Sequence, residues 1–107
     1  MPWLRRIDES RVYSNFGPIS TEFSNRFAGH FGLPAGGVLP VANATLGLVA
    51  ALLAVGARRG TLCAIPAFTF VATGHAVLSA GLQPWLLDVR EEDWQLDPAA
   101  VERALAS

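Results

Sequence analysis

Two segments place small, hydroxylic and aromatic residues where an apolar run gives way to a helical pattern. The first is Val41-Ala42-Asn43-Ala44-Thr45. A helix starting here directs free N–H groups and the positive end of its dipole at whatever precedes it, which suits a phosphate dianion. Ala44 is small enough to let an anion reach the backbone, and the Thr45 hydroxyl adds a donor. The same residues also make an ordinary cap, because Asn and Thr are common at helix starts. The second segment is Ile65-Pro66-Ala67-Phe68-Thr69-Phe70-Val71-Ala72-Thr73. An aromatic side chain there can stack on a flat heterocycle, and it can equally be core. A third segment, Tyr13-Ser14-Asn15-Phe16-Gly17-Pro18, joins hydrogen-bonding side chains to a backbone that Gly and Pro bend tightly. On residue type alone it is a loop.

Other chemistries find no residues. His30 and His75 fall on different expected helices with no partner at ligand spacing, so no metal site is expected. No G-x-S-x-G elbow, Walker loop or G-x-G-x-x-G is present, and Ala35-Gly36-Gly37 precedes a strand pattern instead of following one. All 8 basic residues are arginine. The sequence therefore offers no side-chain amine for a Schiff base.

The elements that must position these segments alternate. Phe23, Phe27 and Phe31 share one face of a helix that starts near Ser20 and is stopped by Gly32 and Pro34; core packing is the expected use of that face. Residues 38–42 predict a short strand, with Asn43 capping a helix over 45–56 that is apolar nearly all round. Arg58-Arg59 beside Gly60 fits that helix's C-terminal turn. A strand over 61–65, a helix over 69–80 ended by Gly81, and a strand over 85–89 follow. Asp97-Pro98 opens a last helix, with Asp as cap and Pro at its first position. Continuous apolar strands separated by helices predict an α/β fold with parallel pairing.

Composition narrows the function classes. With 107 residues the chain holds one small domain at most, and 51% hydrophobic content argues for a packed core. A net charge of -1, spread along the chain, favours neither nucleic acid nor an anionic membrane surface. Cys63 stands alone in an apolar run, as a small core residue does. The N-terminus lacks the apolar stretch of a signal peptide, and residues 46–57 are too few to span a bilayer. The expectation is a soluble, cytoplasmic protein. Open sheet edges, and a helix with more apolar perimeter than a small sheet can hide, suggest a piece of a larger domain.

Taken together, the segments resemble the DegT/DnrJ/StrS-type aminotransferases that use pyridoxal 5'-phosphate (PLP). The run Ile7-Asp8-Glu9-Ser10-Arg11-Val12-Tyr13-Ser14-Asn15-Phe16-Gly17-Pro18 resembles their opening. Val41-Ala42-Asn43-Ala44-Thr45-Leu46-Gly47-Leu48 is similar to their N-G/A-T-x-x-L phosphate segment. Pro66-Ala67-Phe68-Thr69-Phe70-Val71-Ala72-Thr73 is similar to P-S-F-T-F/W-V-A-T. Ala80-Gly81-Leu82-Gln83-Pro84-Trp85-Leu86-Leu87-Asp88-Val89 resembles A-G-x-x-P-x-x-x-D-V, and Trp94-Gln95-Leu96-Asp97-Pro98 matches a further stretch.

The resemblance implies the N-terminal part of a fold-type I PLP-transferase large domain, a mostly parallel sheet between helices. Residues 1–107 would be an incomplete portion of that domain, with 1–18 an N-terminal loop segment. It implies that Ala44 and Thr45 hold the cofactor phosphate, that Phe70 stacks on the pyridine ring, and that Asn15, Phe16, Gly17 and Pro18 lie near the substrate. It implies a homodimer with sites at the subunit interface, moving an amino group from an amino acid such as glutamate to a keto-sugar nucleotide. The family's Schiff-base lysine and the aspartate facing the pyridinium nitrogen fall beyond the matched region. Asp88 and Asp97 match other family positions, so no catalytic residue is expected within 1–107, and this stretch alone should be inactive. The alternative is a short non-catalytic homologue that pairs with a full-length partner and modulates it.

Overall fold

The computed structural model describes residues 2–14 and 16–106. The chain divides into two units, Met1–Pro40 and Val41–Ser107.

In the first unit, helix α1 spans Pro2–Ser10 and helix α2 spans Pro18–His30, packed on each other. The expectation of a loop over 1–18 is thus corrected for residues 2–10. Proline is tolerated in a helix's first turn. Ile7 and Ser10, three apart, are the half-buried positions of α1. The helix ends where Arg11 takes φ 53 and donates its N–H to the Asp8 carbonyl. Glu22 of α2 joins the two helices, accepting from Arg6 at 2.7 Å and from Arg26 at 2.5 Å. Both guanidiniums also lie over the Trp3 ring, 5.1 and 5.7 Å from its centroid. A pattern of only nine residues gives too little periodicity to read without these partners.

Helix α2 begins at Pro18 as Gly17 turns in and stops as Gly32 takes φ 67. Its phenylalanines form a ladder, with centroids 5.7 Å apart for Phe23–Phe27 and 5.1 Å for Phe27–Phe31. The expectation that they form core does not hold within this chain. Phe23, Phe27 and Phe31 are 53%, 44% and 60% exposed.

The second unit carries helix α3, Ala44–Ala54, then strand β1, Leu62–Pro66, and helix α4, Val71–Ser79. Strand β2, Gln83–Leu87, and helix α5, Pro98–Leu105, complete it. β1 and β2 pair in parallel, with Leu62 opposite Gln83 and Pro66 opposite Leu87, and α4 is the crossover between them. The α/β class with parallel pairing therefore holds. Ile65, Val77, Ala80 and Leu82 form the core, flanked by Val49, Leu52 and Cys63. Gly81, at φ 79, closes α4; the Arg59 side chain lies over it, with Cζ 3.2 Å from where a Cβ would stand.

Three expected boundaries move. Residues 38–42 form no strand, since a strand needs a neighbour and the described sheet has two members; Leu39 and Val41 stay exposed. β2 starts two residues earlier than expected and includes Pro84, which a strand tolerates near its start. Val89 instead bridges Leu96 in the turn that follows. α3 stops at Ala54, with Gly56 at φ 71, so Arg58 and Arg59 lie beyond its last turn.

Candidate functional site

Asn43 is extended (φ -162, ψ 167), and its side-chain oxygen accepts the Leu46 N–H at 2.9 Å. Its carbonyl takes the Gly47 N–H at 3.1 Å. The N–H groups of Ala44 and Thr45 therefore have no partner among the described residues, as the first turn of a helix dictates. Ala44 is exposed and Thr45 half-buried. Two free N–H groups, a hydroxyl and the positive dipole end together make the donor set that a phosphate takes.

Phe70 caps α4 by its backbone alone (φ -68, ψ 142), just past the carboxyl end of β1. Its ring is 78% exposed, free to meet a planar partner. Ahead of it, Ala67 donates to the Leu87 carbonyl at 2.7 Å, extending the ladder by one bond. Thr69 and Thr73 share a hydroxyl hydrogen bond at 2.9 Å.

The third expected segment lies in the first unit. Asn15 falls outside the described residues. Phe16 has φ 62 and is 80% exposed; Gly17 is buried against Val12; Pro18 opens α2. A depression beside Phe16 is lined by the polar side chains of Ser20, Thr21, Ser24 and Asn25.

Asp88 and Asp97, in the second unit, are engaged locally. Asp97 accepts from the Ala99 and Ala100 N–H groups at 3.0 and 3.2 Å and so caps α5. Asp88 accepts the Val89 N–H at 3.0 Å. Among the described residues no group of three or more His, Cys, Asp or Glu could hold a metal, and no helix is long and apolar enough to cross a membrane.

Sequence reasoning missed one arrangement, the rings of Phe68 and Trp94 at 4.7 Å between centroids. They come from the loops that follow β1 and β2. The parallel order was the available signal, since it sets both loops at the same sheet edge.

A helix start with free N–H groups and an exposed aromatic thus stand at the heads of two helices of the second unit. The profile of the DegT/DnrJ/EryC1/StrS aminotransferase family matches residues 2–107. The chain belongs to that family.

An L-glutamine:2-deoxy-scyllo-inosose aminotransferase of Micromonospora echinospora is 38% identical over 106 residues, 95% of this chain and 25% of the relative. The dTDP-4-amino-4,6-dideoxy-D-glucose transaminase of Escherichia coli is 30% identical over 105 residues, 98% of this chain and 27% of its own. Among solved structures, a Bacillus cereus protein assigned as a PLP-dependent aminotransferase superposes with a TM-score of 0.84 at 35% identity, over 96% of this chain and 28% of that one. DesI, solved in the presence of its TDP-sugar product, gives 0.74 at 38%, over 94% and 25%. The chain thus spans about a quarter of the length of these relatives. PLP is the cofactor that this membership implies for the intact enzyme, and the donor set at Ala44 and Thr45 fits its phosphate.

Proposed function

We propose that residues 1–107 form the phosphate-holding and ring-stacking part of a PLP-dependent aminotransferase. Its acceptor is a keto-sugar nucleotide and its amino donor an amino acid, glutamate first. Bound PLP supplies the electron sink for amino transfer. This stretch contributes binding: the Ala44 and Thr45 N–H groups and the Thr45 hydroxyl hold the phosphate, and Phe70 lies on the ring. Asn15, Phe16, Gly17 and Pro18 line the approach of the substrate, in a homodimer whose sites sit between subunits. The Schiff-base lysine belongs to other parts of the enzyme, since residues 1–107 contain none.

One observation carries the reading: the N–H pair left free by the Asn43 cap, in a chain that matches the family from residue 2 onward. The test is amino transfer by the full-length protein with PLP and glutamate, offered a keto-sugar nucleotide and followed by product mass. A full-length protein that binds no PLP would refute it.

A second acceptor class has support. The Micromonospora relative acts on 2-deoxy-scyllo-inosose with L-glutamine, at higher identity than the sugar-nucleotide transaminase of Escherichia coli. A carbocyclic ketone with glutamine, run in parallel, separates the two by which pair turns over.

A further inference from the structure

We infer that Trp94 is a positioning residue for the Phe70 platform and acts on it through Phe68; the inference rests on the PLP reading above.

The backbone of Trp94 is the first indication. Its φ of 60 is one that bulky residues rarely adopt. The neighbouring turn holds it there. The Trp94 N–H donates to the Arg90 carbonyl at 3.0 Å, and the Arg90 N–H to the Gln95 carbonyl at 2.9 Å. Asp93 accepts the Gln95 N–H at 3.0 Å and pairs with the Arg90 guanidinium. The Val89–Leu96 bridge and the Asp97 N–H to Asp88 carbonyl bond close the base. A turn alone would be better served by Gly or Asn at this position.

What the Trp side chain adds is its contact with Phe68, at 4.7 Å and an interplanar angle of 51°. Both rings are largely exposed, 58% for Trp94 and 63% for Phe68, so the contact does little to build the core. Its place in the chain is informative. Phe68 lies between Ala67, tied to β2, and Phe70, the N-cap of α4. Phe70 makes no side-chain cap, and the Thr69–Thr73 hydroxyl hydrogen bond ties only the α4 end of the loop. The Phe68–Trp94 contact therefore restrains the short segment that presents the Phe70 ring, from a turn that is itself pinned. A ring held in place beforehand binds a flat cofactor without a further ordering cost.

The experiment uses the full-length protein with PLP and compares Trp94→Gly with Trp94→Phe. Gly accepts the positive φ, so the apo protein should melt near wild type. Loss of the ring should raise the PLP dissociation constant about three- to tenfold, the range of one aromatic contact. It should also weaken the circular dichroism of the bound-cofactor band, which reports how rigidly the ring is held. Trp94→Phe should keep most of both. Wild-type affinity and dichroism in Trp94→Gly would overturn the inference, and so would equal losses in both variants or a large drop in apo melting. If Thr45→Val and Phe70→Ala weaken PLP while Trp94→Gly does not, the cofactor reading stands and the Trp94 inference alone falls. If those two variants also leave PLP binding unchanged, the cofactor reading falls first.

Discussion

The side chain of Asn43 takes the N–H of Leu46, three residues on, and no nearer one. That choice has a chemical consequence. The helix start is capped, yet the two N–H groups between the partners, on Ala44 and Thr45, have no partner among the described residues. Capping and anion binding are then separate tasks of adjacent residues, and substitutions can separate them.

Thr45→Val in the full-length protein should raise the PLP dissociation constant by roughly ten- to hundredfold, the worth of one charge-assisted hydrogen bond at about 1.5–3 kcal/mol. Apo stability should change less, because Asn43 still caps α3. Asn43→Ala should act first on the apo protein, at a cost of about 1 kcal/mol. PLP titration beside apo melting distinguishes them. A Thr45→Val protein with wild-type cofactor affinity would leave Thr45 as a half-buried helix residue and nothing more.

Phe70→Ala should loosen PLP and lower turnover while barely shifting the apo melt. The ring is 78% exposed, so little apolar burial is lost from this part of the chain when it is removed. A core phenylalanine behaves in the opposite way, costing about 3–5 kcal/mol on truncation. Melting and titration of one variant therefore decide between platform and core.

The parts of this structure legible in the sequence are those fixed by neighbours along the chain. Asn43, Gly81 and Asp97-Pro98 mark helix ends by their own hydrogen-bonding or backbone chemistry, and all three do so. Residues 38–42 look like a strand because they are apolar, but strand formation depends on a partner elsewhere. The Phe23, Phe27 and Phe31 spacing specifies a shared face and says nothing of what covers it. α1 owes its place to Glu22 and Trp3 contacts made across two helices, and the Phe68–Trp94 contact joins separate loops. Of the candidate site, the Asn43 cap that leaves the Ala44 and Thr45 N–H groups free was readable for the first reason, and the Phe68–Trp94 contact was missed for the second.

Acid should weaken the α1–α2 pair. Hydrogen bonding from Arg6 comes first; with the charges of Arg26 and Arg6 and a hydrogen bond from Arg26 it holds the Glu22 carboxyl below its ordinary value, against desolvation, which is second only to the Arg6 hydrogen bond. The folded-state pKa is lowered, so the contribution is present above the ordinary carboxylate range and is lost as pH falls through and below it. Glu22→Gln should melt lower than wild type at neutral pH, and the gap should close in acid. The pair is solvent-exposed, so salt should narrow the gap as well. A gap independent of pH would assign the effect to shape instead of charge.

The polypeptide 1–107, mixed with PLP and reduced with borohydride, should acquire no stoichiometric adduct at any internal position. Every basic residue in it is arginine, whose guanidinium does not form the imine. Peptide mapping by mass checks this. A single internal site labelled to completion would overturn it.

The same polypeptide made alone should self-associate. Among the described residues its sheet has two strands, so each strand has an unpaired edge. α3 has no buried residue, and Leu46, Leu48 and Leu53 are 52%, 44% and 59% exposed on it. Phe23 and Phe27 of α2, with Phe31 at its C-cap, add an aromatic face. The fully buried core is small by comparison, with Val77 the largest side chain below 2% exposure. Apolar area that stays in water contributes nothing to folding and is free to drive association. Size-exclusion profiles should therefore broaden and shift to larger species with concentration, and denaturant melts should move with it. Glu or Lys introduced at Phe27 and Leu53 should suppress the association without restoring a sharp melt, because the core is no larger. A wild-type monomer with one sharp, concentration-independent transition would show that these faces are satisfied within the 107 residues.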